Sequence, residues 1–147
     1  MGNPVIDKLR ATGLWGKDSF GKFIPEECFQ WCKQDIAKLL SALFSGDGWL
    51  SKTQSGYQLG YCSVSKRLID DIAHLLLRFG IVMRITKTSK NAWILETRRF
   101  VDIKRFIAFI GIHRQSVKDF EEYAPSGNRD REKWLTSRTN FTRRLPA

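Results

Sequence analysis

The sequence predicts an α+β domain in the order helix, hairpin, helix, hairpin, helix. In this αββαββα chain the two hairpins form one four-stranded antiparallel sheet, with the helices on one face. Three observations lead there. Two pairs of strand-like segments, 49–53 with 57–64 and 81–88 with 92–98, are each joined by a short polar turn, Gln54-Ser55-Gly56 and Ser89-Lys90-Asn91. A strongly periodic apolar helix lies between the pairs, and further helices flank them. The chain has 147 residues, 42% of them apolar and 12% aromatic, enough to bury a single core.

Each element has its own signal. Asn3 is a helix N-cap and Pro4 fits the first helical position. Val5, Ile6, Leu9 and Leu14 follow at helical spacing until Gly13 and Gly16 end the element, and residues 16–24 read as a loop. Pro25 opens a second helix, with Glu26 and Glu27 at its positive end. Ile36, Leu39, Leu40, Leu43 and Phe44 mark the main helix, which Gly46 and Gly48 are expected to stop. In the second strand, Leu59 and Tyr61 alternate with Gln58, Gly60 and Cys62, giving one core face and one small or polar face. A helix from Ser65-Lys66 to Arg78 carries Leu68, Ile69, Ile72, Leu75 and Leu76 on one side, and Gly80 caps it. After the second hairpin, a helix over 100–110 buries Phe100, Ile103, Phe106 and Ile107, and Val117 to Tyr123 forms a short last helix. Residues 1–123 thus make the folded domain. Residues 124–147 form a polar, basic extension with Arg129, Arg131, Lys133, Arg138, Arg143 and Arg144, part of it helical around Trp134 and Leu135.

Charge narrows the partner. Lys and Arg number 25 against 15 Asp and Glu, a net +10, which favours a polyanion, with nucleic acid first among candidates. No apolar run reaches the ~20 residues that span a bilayer, so no membrane partner is expected. No signal peptide is visible at the N-terminus, and Cys28, Cys32 and Cys62 read as free thiols. The expected location is the cytoplasm or an organellar matrix, without secretion.

The chemistry concentrates at Leu40-Ser41-Ala42-Leu43-Phe44-Ser45-Gly46-Asp47-Gly48, where an apolar helix with small residues runs into a carboxylate. Taken alone, Asp47-Gly48 is a turn dipeptide. Ala42 and Gly46, four residues apart, would let two helices approach closely and bring two Asp47 carboxylates together. Paired carboxylates with backbone oxygens suit Mg²⁺.

The nonapeptide resembles the motif that names the LAGLIDADG homing endonucleases, departing from it at Ser45, where that family often has an acidic residue. Residues 61–81, YCSVSKRLIDDIAHLLLRFGI, are similar to the family segment in which a strand, a Ser-Lys turn and an apolar helix close on Gly-Ile. Residues 106–111, FIAFIG, resemble its closing helix. Leu14-Trp15-Gly16-Lys17 through Lys22-Phe23-Ile24-Pro25 resembles the lead-in to the second motif of intein-encoded endonucleases.

The resemblance implies a site-specific endonuclease that cuts both strands of DNA with Mg²⁺ or Mn²⁺ and leaves short 3′ overhangs. Such cuts promote the mobility of an intron or intein. It implies Asp47 and the Gly46 carbonyl as metal ligands, and Ser65 as a residue that positions active-site water. His113, Arg114 and Lys118 are candidates for a cation offsetting charge on the phosphate. One motif per chain implies a homodimer joined through Leu39, Ala42, Leu43 and Gly46, acting on a long, near-palindromic site. The sheet would read the major groove through Ser51, Thr53, Gln58, Arg84 and Thr86, while Lys52, Lys87, Lys90 and Arg98 contact phosphates. Trp49, Trp93 and Tyr57 are expected to pack rather than stack on bases. Two other readings stand beside this one: the C-terminal half of a single-chain intein endonuclease, or a non-cutting maturase or regulator on the same fold. The termini carry no splicing residues, so splicing is not expected.

Overall fold

The computed structural model describes residues 21–112 and 115–122, together with Asp7. The helix expected near the N-terminus, the basic extension, His113 and Arg114 lie outside the described residues. A 3-10 turn, Glu26–Gln30, leads to α1, Lys33–Asp47. Strands β1, Gly48–Thr53, and β2, Gly56–Ser63, form the first hairpin. Helix α2, Lys66–Leu77, connects to the second hairpin, β3, Arg84–Lys87, and β4, Trp93–Thr97. Helices α3, Phe100–Phe109, and α4, Gln115–Glu122, follow. The four strands run antiparallel in the order β1-β2-β4-β3, with β2 and β4 central.

Alternation separates the two faces of this sheet. Leu50, Tyr57, Leu59, Tyr61 and Leu95 are buried on one face. Against it pack α1 on β1 and β2, α2 on β2 and β4, α3 on β2 and α4 on β1. The helices supply Ile36, Leu39, Leu40 and Phe44 from α1, Leu68, Ile69, Ile72, Leu75 and Leu76 from α2, and Ile103 and Phe106 from α3. Each such side chain contributes roughly 1.5–3 kcal/mol on full burial. Phe44 joins the layers, its ring 5.3 Å from Tyr61 and 4.6 Å from Phe106. Phe120 brings α4 in, edge-on to Tyr57 at 5.2 Å. On the opposite face Ser51, Arg84 and Thr86 are exposed. There the Trp49 indole lies across Gly60, where an added Cβ would overlap the ring. This is why β2 carries a glycine at its centre.

Three boundaries differ from the expectation. Pro25 opens a 3-10 turn rather than an α-helix, because the chain extends again at Trp31. Helix α1 continues through Gly46 to Asp47, and the strand begins at the next residue. The glycine's backbone freedom is outweighed by the packing of the turn that contains Phe44. Residues 81–83 are not paired strand. Ile81 drops into the core after Gly80 takes φ +69°, and the Val82 N–H donates to the Asp102 carboxylate at 3.3 Å.

The lead-in segment is strapped along α2. The Ser65 hydroxyl donates to the Lys22 carbonyl at 2.5 Å, and Asp71 accepts from the Ile24 N–H at 3.0 Å. Arg78 donates to the carbonyls of Phe29 and Trp31. The Arg67 guanidinium lies 4.4 Å from the Phe23 ring centre.

Candidate functional site

Helix α1 delivers Asp47 directly to the sheet edge with no intervening loop. Gly48 is buried and extended, and its N–H donates to the Phe44 carbonyl. A Cβ on Gly48 would lie 2.7 Å from that carbonyl oxygen, so no other residue fits this junction. The Asp-Gly pair is therefore both a tight junction and a device that fixes Asp47, which stays exposed.

Beside it stands Tyr61, paired across the hairpin with Gly48. It is 2% exposed, and the Asp47 carboxylate lies near enough for its charge to act on the phenol. Burial raises the phenol's pKa, and the negative charge of Asp47 raises it further. Tyr61 therefore stays a neutral phenol beside the carboxylate.

The residues expected at a helix–helix interface separate into two groups. Leu39 is fully buried in the chain's own core and is not available to a second copy. Its position on α1 points to the sheet, which overturns that assignment. Leu43 is half-buried against the same core. Ala42 is half-buried and Gly46 is exposed, with open space where a Cβ would stand.

Ser65 also proves different. It is the N-cap of α2, 2% exposed, accepting from the Leu68 N–H at 3.2 Å and donating to the Lys22 carbonyl. A hydroxyl committed on both sides caps a helix and does not orient water. Lys118 is exposed on α4, which rests on β1.

A metal ion needs several converging donors. Among the described residues no three His, Cys, Asp or Glu side chains converge on one point. One chain offers the Asp47 carboxylate and helix-end carbonyls including that of Gly46. These are hard oxygen donors of the right kind, and a second set would complete them.

The open face collects most of the expected reading residues. Ser51 pairs with Gln58, and Arg84 pairs with Glu96. Thr86 sits two residues along from Arg84 on the same face. Thr53 shares the parity of Ser51 at the end of β1. Lys52 and Lys87 fall on the opposite parity, with Leu50 and Ile85. The Lys87 ammonium lies 5.5 Å from the Trp93 ring centre, and Lys66 lies 5.1 Å from the same ring. Lys90 is exposed in the hairpin turn. Arg98 is exposed just past β4, lining a surface cavity with Arg84 and Arg99.

Two residues escaped the sequence reading. Tyr61 reads as an ordinary core position, and only its register partner Gly48 reveals its neighbour Asp47. Glu96 is acidic on a face expected to meet DNA. It accepts from Arg84 at 2.7 Å and from the Gln58 amide.

No described helix is long and apolar enough to cross a membrane. Comparison with known proteins gives concordant results. Over 133 residues the chain is 35% identical to protein RecA of Mycobacterium tuberculosis (strain ATCC 25618 / H37Rv), covering 84% of this chain and 16% of that protein. It is 33% identical over 92 residues to the replicative DNA helicase DnaB of a Synechocystis strain, covering 60% of this chain and 11% of that protein. It is 29% identical over 134 residues to a DNA gyrase subunit of Mycolicibacterium flavescens, covering 87% of this chain and 24% of that protein. The chain thus spans less than a quarter of each relative's length. The sequence profile of the LAGLIDADG-like domain matches residues 34–111, from the start of α1 to the end of α3. That interval holds the Asp47 junction and the whole sheet, and on this match the chain belongs to the LAGLIDADG homing endonuclease family.

Proposed function

We propose that the chain is a site-specific double-strand DNA endonuclease that works as a homodimer on a near-palindromic target. The observation that carries this reading is the Asp47 junction. An exposed carboxylate, placed by the Gly48 junction next to Tyr61, stands beside an unfilled Gly46 surface on the same helix. Two copies meeting along Ala42 and Gly46 would bring two Asp47 carboxylates to one place, adding donors that do not converge among the described residues of one chain. Mg²⁺ or Mn²⁺ held by Asp47 and the Gly46 carbonyl would supply Lewis-acid activation of the phosphate and of water. The protein's own residues do the remaining work. The Gly48 junction places the Asp47 carboxylate, and the open sheet face sets the duplex in register.

The same segment resembles parts of RecA, DnaB and a DNA gyrase chain, three proteins with different names. A module shared as an insert by unrelated hosts accounts for that distribution. It favours a second reading, the intein-associated form, in which the domain acts as one half of a larger enzyme instead of pairing with a second copy.

The test begins with duplexes selected from a randomised library by the full chain, which are then incubated with Mg²⁺. Wild-type protein should cut both strands, and Asp47→Asn should bind equally well without cutting. Asp47→Asn that cuts like wild type would refute the assignment. Wild-type binding without cutting would favour the maturase or regulator reading. Light scattering on the DNA complex separates the homodimer from the half-enzyme.

A further inference from the structure

An acidic side chain at the centre of a surface that meets a polyanion needs a reason. Glu96 lies on β4, and its side chain is only 14% exposed. On one side Arg84, from β3, donates to its Oε1 at 2.7 Å; on the other the Gln58 amide nitrogen, from β2, donates to its Oε2. Both carboxylate oxygens are therefore occupied, and the three side chains cross three adjacent strands on the open face. Arg84 remains 74% exposed beyond its contact with Glu96.

Resting on the proposed DNA-reading role of this face, we infer that Glu96 is a positioning residue for specificity. It holds Arg84 to read guanine and Gln58 to read adenine in the major groove. The chemistry follows from the donors that remain. A guanidinium has five N–H donors in a planar fork, and one contact with Glu96 leaves enough for the paired O6 and N7 acceptors of guanine. An unsupported arginine would sample many rotamers on this surface, and the carboxylate removes that freedom. The carboxylate only accepts, so the Gln58 amide must turn its nitrogen toward Glu96. Its carbonyl and second N–H are then presented together, the pattern that matches N6 and N7 of adenine. The carboxylate also neutralises one cation, so Arg84 acts in readout more than in general attraction for phosphate.

The experiment compares base preferences of the full-length wild type, Glu96→Ala, Glu96→Gln and Arg84→Lys. Each is presented with a randomised double-stranded DNA library in EDTA, so that binding is read without cleavage, and urea unfolding checks each fold. Wild type should enrich a guanine and a nearby adenine in each half-site. Arg84→Lys should lose about tenfold or more of the guanine preference while keeping overall affinity. Glu96→Gln is the diagnostic variant. Its carbonyl still accepts from Arg84, so guanine persists, but its amide nitrogen now faces Gln58. Gln58 must flip, and the adenine preference should be lost. Glu96→Ala should weaken both preferences. Unchanged profiles in both Glu96 variants, with wild-type enrichment intact, would overturn this inference alone. A wild-type library with no enriched sequence would overturn it together with the endonuclease reading.

Discussion

Ser65→Ala tests whether this hydroxyl caps a helix or serves a reaction. In the folded chain Ser65 is 2% exposed, and its oxygen both accepts from the Leu68 N–H and donates to the Lys22 carbonyl. Removing an N-cap costs about 1–2 kcal/mol when the orphaned N–H is buried. The Lys22 carbonyl loses its donor as well, adding roughly 0.5–1 kcal/mol because it is half-buried and water replaces part of the bond. The expected loss is about 1.5–3 kcal/mol. With a urea slope of about 2 kcal/mol/M, the midpoint falls by about 1 M at unchanged slope. In a thermal scan the fall is on the order of 10 °C. Cleavage per folded molecule should match wild type at temperatures where both are folded. An unchanged urea midpoint would refute the cap argument. An unchanged midpoint with abolished metal-dependent cleavage would restore the water-positioning role.

Other substitutions probe neighbouring features. Gly46→Leu fills open space, so it should leave the folded monomer's unfolding free energy, measured in urea, within about 1 kcal/mol of wild type or above it, while light scattering shows loss of any dimer. Tyr61→Phe removes the polar phenol beside Asp47; the Mg²⁺ concentration for half-maximal cleavage should rise, and an unchanged titration would show that Asp47 works without that hydroxyl. The Cys28 thiol is pushed up from 9.0 to about 11, first by burial and then by the charge of Glu27. Below pH 9 both states hold the proton and the stabilisation is complete; it is lost as pH rises through 11, because the unfolded thiol ionises first. The stability advantage of wild type over Cys28→Ala should therefore shrink between about pH 9 and 11 in urea titrations, and a constant difference would refute the shift.

The sheet was legible because its signals are local. Polar turns at 54–56 and 89–91 fix each hairpin, and the alternation of Leu59 and Tyr61 with Gln58 and Gly60 fixes which face is buried. Helix α2 was legible from its strongly one-sided apolar pattern and the Ser65 and Gly80 caps. Asp47 stood out because a charge at the end of an apolar helix requires an explanation. What could not be read depends on contacts distant in sequence. Ile81, Val82 and Met83 have strand propensity, yet the side chain of Asp102 takes the Val82 N–H that a neighbouring strand would have used. Leu39 has the same apolar character whether it faces its own sheet or another chain, and only packing decides. The roles of Tyr61 and Glu96 arise from register, Gly48 with Tyr61 and Arg84 with Glu96, which no single segment encodes.

The strap formed by residues 22–31 has a consequence for the order in which the chain folds. Its hydrogen bonds to α2 join residues 43, 47, 47 and 49 positions apart. Helix α1 and the first hairpin lie inside the loop these bonds close. The closure entropy of such a loop must be met before any of its contacts form. A growing chain cannot secure the strap until Arg78 has been made, so it should dock after the first hairpin and α2 have formed. Contacts formed after the transition state speed unfolding when weakened and leave the folding rate nearly unchanged. On that order the strap, bonded to α2 and leading into the start of α1, would set how long the site stays assembled rather than how fast it forms.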